Sequence, residues 1–152
     1  VPATRNGPAR TMSSNVLFSD DFRVDQINPE GKKFEKVNRL VCKAAVYEIE
    51  LLIDIHSEIY EVQKDDKLHI VVAKSLLLEG QTEADAASGK GSLLDQYDYA
   101  MHGVVYKHFH AGGSNVEVHV SHGGLLAQLV GDQRHLAKFE VDSQVYTLIR
   151  KL

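Results

Sequence analysis

The chain has 152 residues, 43% of them hydrophobic and 25% charged, with a formal net charge of −4. This length suits one globular domain with a sizeable core, and the acidic balance argues against a free-standing nucleic-acid binder, whose phosphate affinity comes from clustered Lys and Arg. A single cysteine, Cys42, excludes an internal disulfide framework and any multi-cysteine zinc site.

Residues Val1 to Thr11 hold Pro2, Gly7 and Pro8 without periodicity, and Met12 follows, so residues 1–12 read as a disordered leader or expression remnant. Residues 13–152 are expected to form one domain. No secretory leader is legible and apolar runs such as Ile49 to Ile55 are too short to cross a bilayer, which points to an intracellular, soluble protein. The first strands are expected near Leu17 to Val24 and Val37 to Lys43. Around the second, Lys32, Lys33, Lys36, Arg39 and Lys43 make a basic run interrupted only by Glu35; a solvated face is the plainer reading and a phosphate-tracking site the sharper one. Tyr47, Ile49, Leu51, Ile53 and Ile55 alternate with Glu48, Glu50 and Asp54, the period of two of a half-buried strand, with Leu52 as the exception. Further strands are expected over Leu68 to Ala73, Tyr97 to Phe109, Val116 to Val120, Leu125 to Val130 and Val145 to Lys151. The small, polar stretch from Glu79 to Gln96 lacks apolar periodicity and reads as a long mobile loop. Only Asp132 to Phe139 reads as helix, with Asp132 as its cap and Leu136 and Phe139 on the inner side. Many short strands with glycine or polar turns indicate an all-β fold, and a closed or nearly closed antiparallel barrel is favoured.

A hairpin tip at Ala111 to Ser114 would set His110 opposite Asn115, His108 opposite Glu117 and Tyr106 opposite His119, with Val116, Val118 and Val120 facing the core. That register collects His108, His110, Glu117 and His119 on one exposed face, where imidazole and carboxylate ligands could hold zinc; surface histidines are the plainer reading, and no cofactor is expected. Catalytic signatures are missing. Ser121-His122-Gly123 lacks the glycine-flanked elbow of a serine nucleophile, and Gly89-Lys90-Gly91-Ser92 fails as a phosphate loop, since Ala84 stands where the first glycine belongs and Gly91 separates the lysine from the hydroxyl. Asp20-Asp21 and Asp65-Asp66 are adjacent carboxylates that a strand would turn to opposite faces. Tyr60, Tyr97, Tyr99 and Tyr106 could stack bases, but strand-spaced tyrosines more often pack with a hydroxyl at the surface. Cys42 reads as a small buried residue. Gly123-Gly124 permits a sharp bend and lets another backbone come close, as a barrel corner or as a partner's docking point.

Several blocks together carry a family resemblance. Leu17-Phe-Ser-Asp-Asp-Phe-Arg-Val24, Asn28-Pro-Glu-Gly-Lys-Lys-Phe-Glu-Lys-Val-Asn-Arg39, Tyr97 to Lys107, Ser121-His-Gly-Gly-Leu-Leu-Ala-Gln-Leu-Val-Gly-Asp132 and Phe139 to Leu152 resemble the small common subunit, the eighth, shared by eukaryotic nuclear RNA polymerases I, II and III. The resemblance covers nearly everything after Met12, departing at Glu79 to Gln96 and His108 to Asn115. It implies a Greek-key-like barrel related to oligonucleotide-binding folds and a nuclear, and through polymerase I nucleolar, location. It also implies a non-catalytic role in assembly and stability, docked on the largest polymerase subunit. Fold alone does not establish nucleic-acid binding. On this reading Gly123 and Gly124 let the partner approach, while Leu125 and groups near Tyr106 and Arg150 supply contact area. The alternative is an autonomous single-strand binder using the tyrosines and Lys32, Lys33, Lys36 and Arg39.

Overall fold

The computed structural model describes residues 15–78, 80–89 and 91–152; the leader expected over residues 1–12 lies outside them, as do Glu79 and Lys90 of the expected loop. Eight strands are found among the described residues: β1 (Val16–Ile27), β2 (Val37–Ala44), β3 (Glu50–His56), β4 (Lys67–Ala73), β5 (Tyr99–Gly112), β6 (Asn115–His122), β7 (Leu125–Asp132) and β8 (Gln144–Lys151). All pairings are antiparallel. The order β1, β2, β3, β7, β6, β5, β8, β4 returns to β1 and closes the barrel expected from the sequence.

Alternation explains the interior. Phe18, Phe22 and Val24 from β1, Leu51 and Ile53 from β3, Val118 and Val120 from β6 and Ile149 from β8 are all buried in one cluster, and each such side chain contributes about 1.5–3 kcal/mol on burial. Cys42 is among them, fully buried, and burial pushes its thiol up to about 12. Two glycines allow strands to crowd: a Cβ on Gly103 would stand 2.5 Å from the Ser121 carbonyl oxygen, and one on Gly131 2.7 Å from Ile49 Cγ1. The short helix before β8, α2 (Gln133–Leu136), forms as expected, its first turn capped by Asp132 Oδ1 accepting from Arg134 N at 2.8 Å and its Leu136 driven fully into the core.

The connection from β4 to β5 differs from the element-free loop expected at residues 79–96. It contains α1 (Glu83–Ala87) and a 3₁₀ turn (Leu93–Gln96), and it straps the outside of the barrel. Val71 and Ala73 of β4 and Leu148 of β8 point outward here, alternating with core residues, and with Val16 and Leu93 they make a second apolar cluster against Leu76, Leu78 and Tyr97. Ser92 starts the 3₁₀ turn with a capping box, its hydroxyl accepting from Leu94 N and its own N–H donating to Asp95 Oδ2.

The β5–β6 register also differs from the expected one. The turn is tighter, with Gly112 opposite Asn115, and extra residues at Tyr106 and Ala111 bulge β5, so His110 faces Val116, His108 faces Val118, Phe109 faces Glu117 and Lys107 faces His119. One slipped position turns side chains to the other face. His108 and His110 therefore lie on the Val116 and Val118 side, while Glu117 and His119 lie on the outer side, and the four-residue zinc face proposed from sequence is split in two. Val116, Val118 and Val120 do face the core.

Candidate protein-docking surface

The β6–β7 turn is built by its glycines. Gly123 has φ +65° and Gly124 φ +107°, the positive values that a two-residue turn between twisted strands demands at both central positions. A Cβ at either would meet nothing within 4 Å, so the backbone conformation and not internal crowding calls for glycine. The turn stands exposed at the barrel rim. Gly124 N donates to Ser121 Oγ at 3.2 Å.

Past the turn, the alternation of β7 sorts its two leucines. Leu125 shares the inward parity of Ala127 and Leu129 and packs on the core, whereas Leu126 points outward and is 39% exposed. Leu126 is held where the β3–β7 ladder has run out: its N–H donates to Asp54 Oδ2 at 3.1 Å. The same carboxylate accepts from Arg39 Nε at 2.7 Å and Nη2 at 3.0 Å, and this bond raises the guanidinium pKa. A buried carboxylate so engaged fixes both neighbours.

Across the outer sheet, two rows of side chains face solvent. Val104, Ser121 and Leu126 are cross-strand neighbours, as are Lys107, His119, Gln128 and Leu52. Tyr106, the first bulged residue, is 38% exposed and meets His119 edge-on at 5.8 Å, while Phe109 stacks on the same imidazole at 5.7 Å. Arg39, Leu52, Tyr106, His119, Leu126 and Gln128 line a shallow depression. Glu117 borders it, accepting from Gln128 Nε2 at 3.3 Å and lying 3.1 Å from His119 Nε2. The lining of the depression mixes apolar Leu52, Leu126 and the Tyr106 ring with polar Arg39, His119 and Gln128, and mixed polar and apolar surface is what non-obligate protein interfaces present.

Not all residues singled out by sequence gather here. Arg150 lies on β8 opposite His69 and bonds the Tyr97 hydroxyl beside the strap, apart from Tyr106. The basic run is locally neutralised: Arg39 by Asp54, Lys36 by Glu58 at 3.4 Å, Lys43 by Asp25 at 3.8 Å and Lys33 by Glu30 at 4.0 Å, with Lys32 donating to Asn38 Oδ1. Tyr60 and Tyr99 stack on each other at 5.1 Å and are buried, Tyr60 donating to Asp98 Oδ2 at 3.2 Å, so burial raises its pKa. Only Tyr106 of the four keeps an open flank on a sheet face. Asp20 and Asp21 point to opposite sides as expected, Asp20 buried and Asp21 2.7 Å from His69 Nδ1. Sequence reasoning missed Leu52, Asp54 and Leu126. Leu52, the one break in the β3 alternation, was the available signal for an outward apolar position.

Comparison with known proteins agrees along the whole barrel. The RNA polymerase Rpb8 family model matches residues 19–151. A subunit of DNA-directed RNA polymerases I, II and III from Dictyostelium discoideum is 41% identical over 91% of this chain and 99% of its own length. The subunit 8B of DNA-directed RNA polymerases II, IV and V from Arabidopsis thaliana is 38% identical over 93% and 100%. The corresponding subunit of polymerases I, II and III from Saccharomyces cerevisiae is 33% identical over 91% and 99%. The match runs from the first strand to the last and the structure is the closed barrel that those strands make: the chain belongs to the RNA polymerase Rpb8 family.

Proposed function

We propose that this chain is a non-catalytic common subunit of DNA-directed RNA polymerases I, II and III, that it docks on the largest subunit, and that it supports assembly and stability of the transcribing enzyme in the nucleus and, with polymerase I, the nucleolus. The relatives are named as shared polymerase subunits, and the feature of this chain that carries the docking reading is the half-exposed apolar face formed by Val104, Tyr106, Phe109 and Leu126 beside the Gly123-Gly124 turn. Exposed apolar side chains gathered on one face of a closed barrel favour an interaction site there. The glycine turn brings bare backbone to the partner, Tyr106 is the aromatic anchor, and the Arg39–Asp54 pair holds Leu126 in place.

Tagged chain introduced into cells and captured with its polymerase tests this. The Tyr106→Ala, Leu126→Ala double variant is expected to retain at least tenfold less largest subunit than the parent, a loss of about 1.4 kcal/mol or more, while its melting temperature stays within a few degrees. Leu125→Ala should instead lower the melting temperature, because Leu125 packs on the core. Full capture by the double variant would sink this docking face.

A further inference from the structure

The strap between β4 and β5 is pinned at its base and open beyond it. Gln81 makes the base: its N–H donates to Leu78 O at 2.9 Å, its Oε1 accepts from Leu78 N at 3.0 Å and its Nε2 donates to Gly91 O at 2.7 Å. Just past Gly91, Leu93 is buried and donates to Leu76 O. Residues 82–89 therefore leave and return at one clamped neck, and Thr82, Glu83, Ala84, Ala87, Ser88 and Gly89 are all exposed. α1 is only five residues long, where helices shorter than about 12–15 residues are marginal in water. Its described side chains anchor nothing in the barrel, so it can open as a local event.

The sequence of this excursion is selective. Thr82 is followed directly by Glu83 and, three places on, by Asp85, and from Ser75 to Gln96 the charges are Glu79, Glu83, Asp85 and Asp95 against Lys90 alone. A hydroxyl with acids at those two positions is what the basic cleft of an acidophilic protein kinase reads. Ser92 and Ser114 also have an acid three places on, Asp95 and Glu117. The fold separates them from Thr82, because a kinase cleft takes the residues around its acceptor in an opened chain. Opening Ser92 would pull Leu93 from the apolar cluster outside the barrel wall. Opening Ser114 would strip Asn115 to Glu117 from both β5 and β7.

We propose that Thr82 is a phosphorylation site for an acidophilic protein kinase. Thr82 Oγ1 attacks the γ-phosphorus of a nucleoside triphosphate; the new O–P bond forms as the bond to the β-phosphate oxygen breaks, the hydroxyl proton passes to the kinase's carboxylate base and the nucleoside diphosphate leaves. The product adds about −1.5 to −2 of charge to the strap. The strap packs on β1, β4 and β8, strands that contribute nothing to the depression around Leu126. The site stands whether or not that depression docks on a polymerase.

The full chain is incubated with magnesium ATP and an acidophilic serine/threonine kinase, and the phosphate is located by tandem mass spectrometry. It is expected on Thr82, while a kinase that requires arginine before its acceptor should leave the strap unmodified. Thr82→Val should abolish incorporation and Thr82→Ser should keep it, both with the melting temperature of the parent. Glu83→Gln together with Asp85→Asn should lower kcat/KM for incorporation at least about tenfold although the acceptor hydroxyl is still present. No incorporation, phosphate on Ser92 or Ser114 in place of Thr82, equal modification of the strap by the arginine-requiring kinase, or an undiminished rate in the Glu83, Asp85 double variant would each overturn the proposal.

Discussion

His122 ties three strands together at a point where four crowd. It belongs to β6, its Nδ1 lies 3.2 Å from the Leu125 carbonyl oxygen next to the β6–β7 turn, and its Nε2 lies 2.8 Å from Thr147 Oγ1 on β8. A carbonyl can only accept, so Nδ1 carries the proton and Nε2 accepts from the threonine hydroxyl. Gly103 of β5 leaves the space, since a Cβ there would fall 2.8 Å from the ring. Burial pushes the His122 pKa down to about 4, against the carbonyl bond that favours the charged form. The unfolded chain therefore takes up this proton from about pH 6.5 downward while the folded one refuses it until about pH 4, and stability falls as pH drops through that window by up to about 3 kcal/mol. Urea unfolding at several pH values should show this slope, and His122→Gln should remove that part of it; an unchanged slope would place the titration elsewhere. In the sequence His122 was visible only as part of a failed nucleophile motif, because its partner Thr147 becomes a neighbour only when the sheet closes. Leu125 and Leu126 show the same limit: the strand was legible, but which leucine points outward depended on a parity fixed by Ala127 and Leu129.

The strap between β4 and β5 shows how a connection can be ordered without joining the core. Leu93 is its anchor, buried with Val16, Val71, Ala73 and Leu148 outside the barrel wall, and its N–H donates to Leu76 O at 2.8 Å. Leu93→Ala removes burial that in a core would cost about 2–5 kcal/mol, yet here the loss is confined to a local unit. Hydrogen exchange should then accelerate across α1 and the 3₁₀ turn while the amides of β6 and β7 keep their protection; acceleration throughout the barrel would mean that the strap and barrel unfold as one. The signal for the 3₁₀ turn was present in Ser92-Leu-Leu-Asp95, a capping-box pattern, but small polar neighbours masked it. The β5–β6 hairpin was located correctly and misregistered for a different reason: bulges at Tyr106 and Ala111 add a residue to one strand only, and a pattern of period two does not announce them.

At the scale of the whole molecule, the basic run that could have tracked phosphates is engaged at home. Lys33, Lys36, Arg39 and Lys43 each sit beside a carboxylate, and Tyr60 and Tyr99 spend their rings on each other. The isolated chain is accordingly expected to bind single-stranded oligonucleotides more weakly than about 0.1 mM at physiological salt, with little gain at lower salt; fluorescence anisotropy showing tight, steeply salt-dependent binding would restore the single-strand-binder reading. The barrel itself was legible because eight alternating segments separated by turn residues leave few other ways to bury one face of each. Closure was expected as well, but which strands make it was not legible, since the order β1, β2, β3, β7, β6, β5, β8, β4 rests on pairings between strands far apart in the chain. β3 and β7 meet over four rungs, Glu50 to Ile53, against eight between β6 and β7, and just beyond the last rung the Asp54 carboxylate takes the Leu126 N–H. The cylinder is thus a rolled strip fastened along a short joint with a single carboxylate as its clasp, and under mechanical load it would unroll there first, with β3 and β7 as its two free margins.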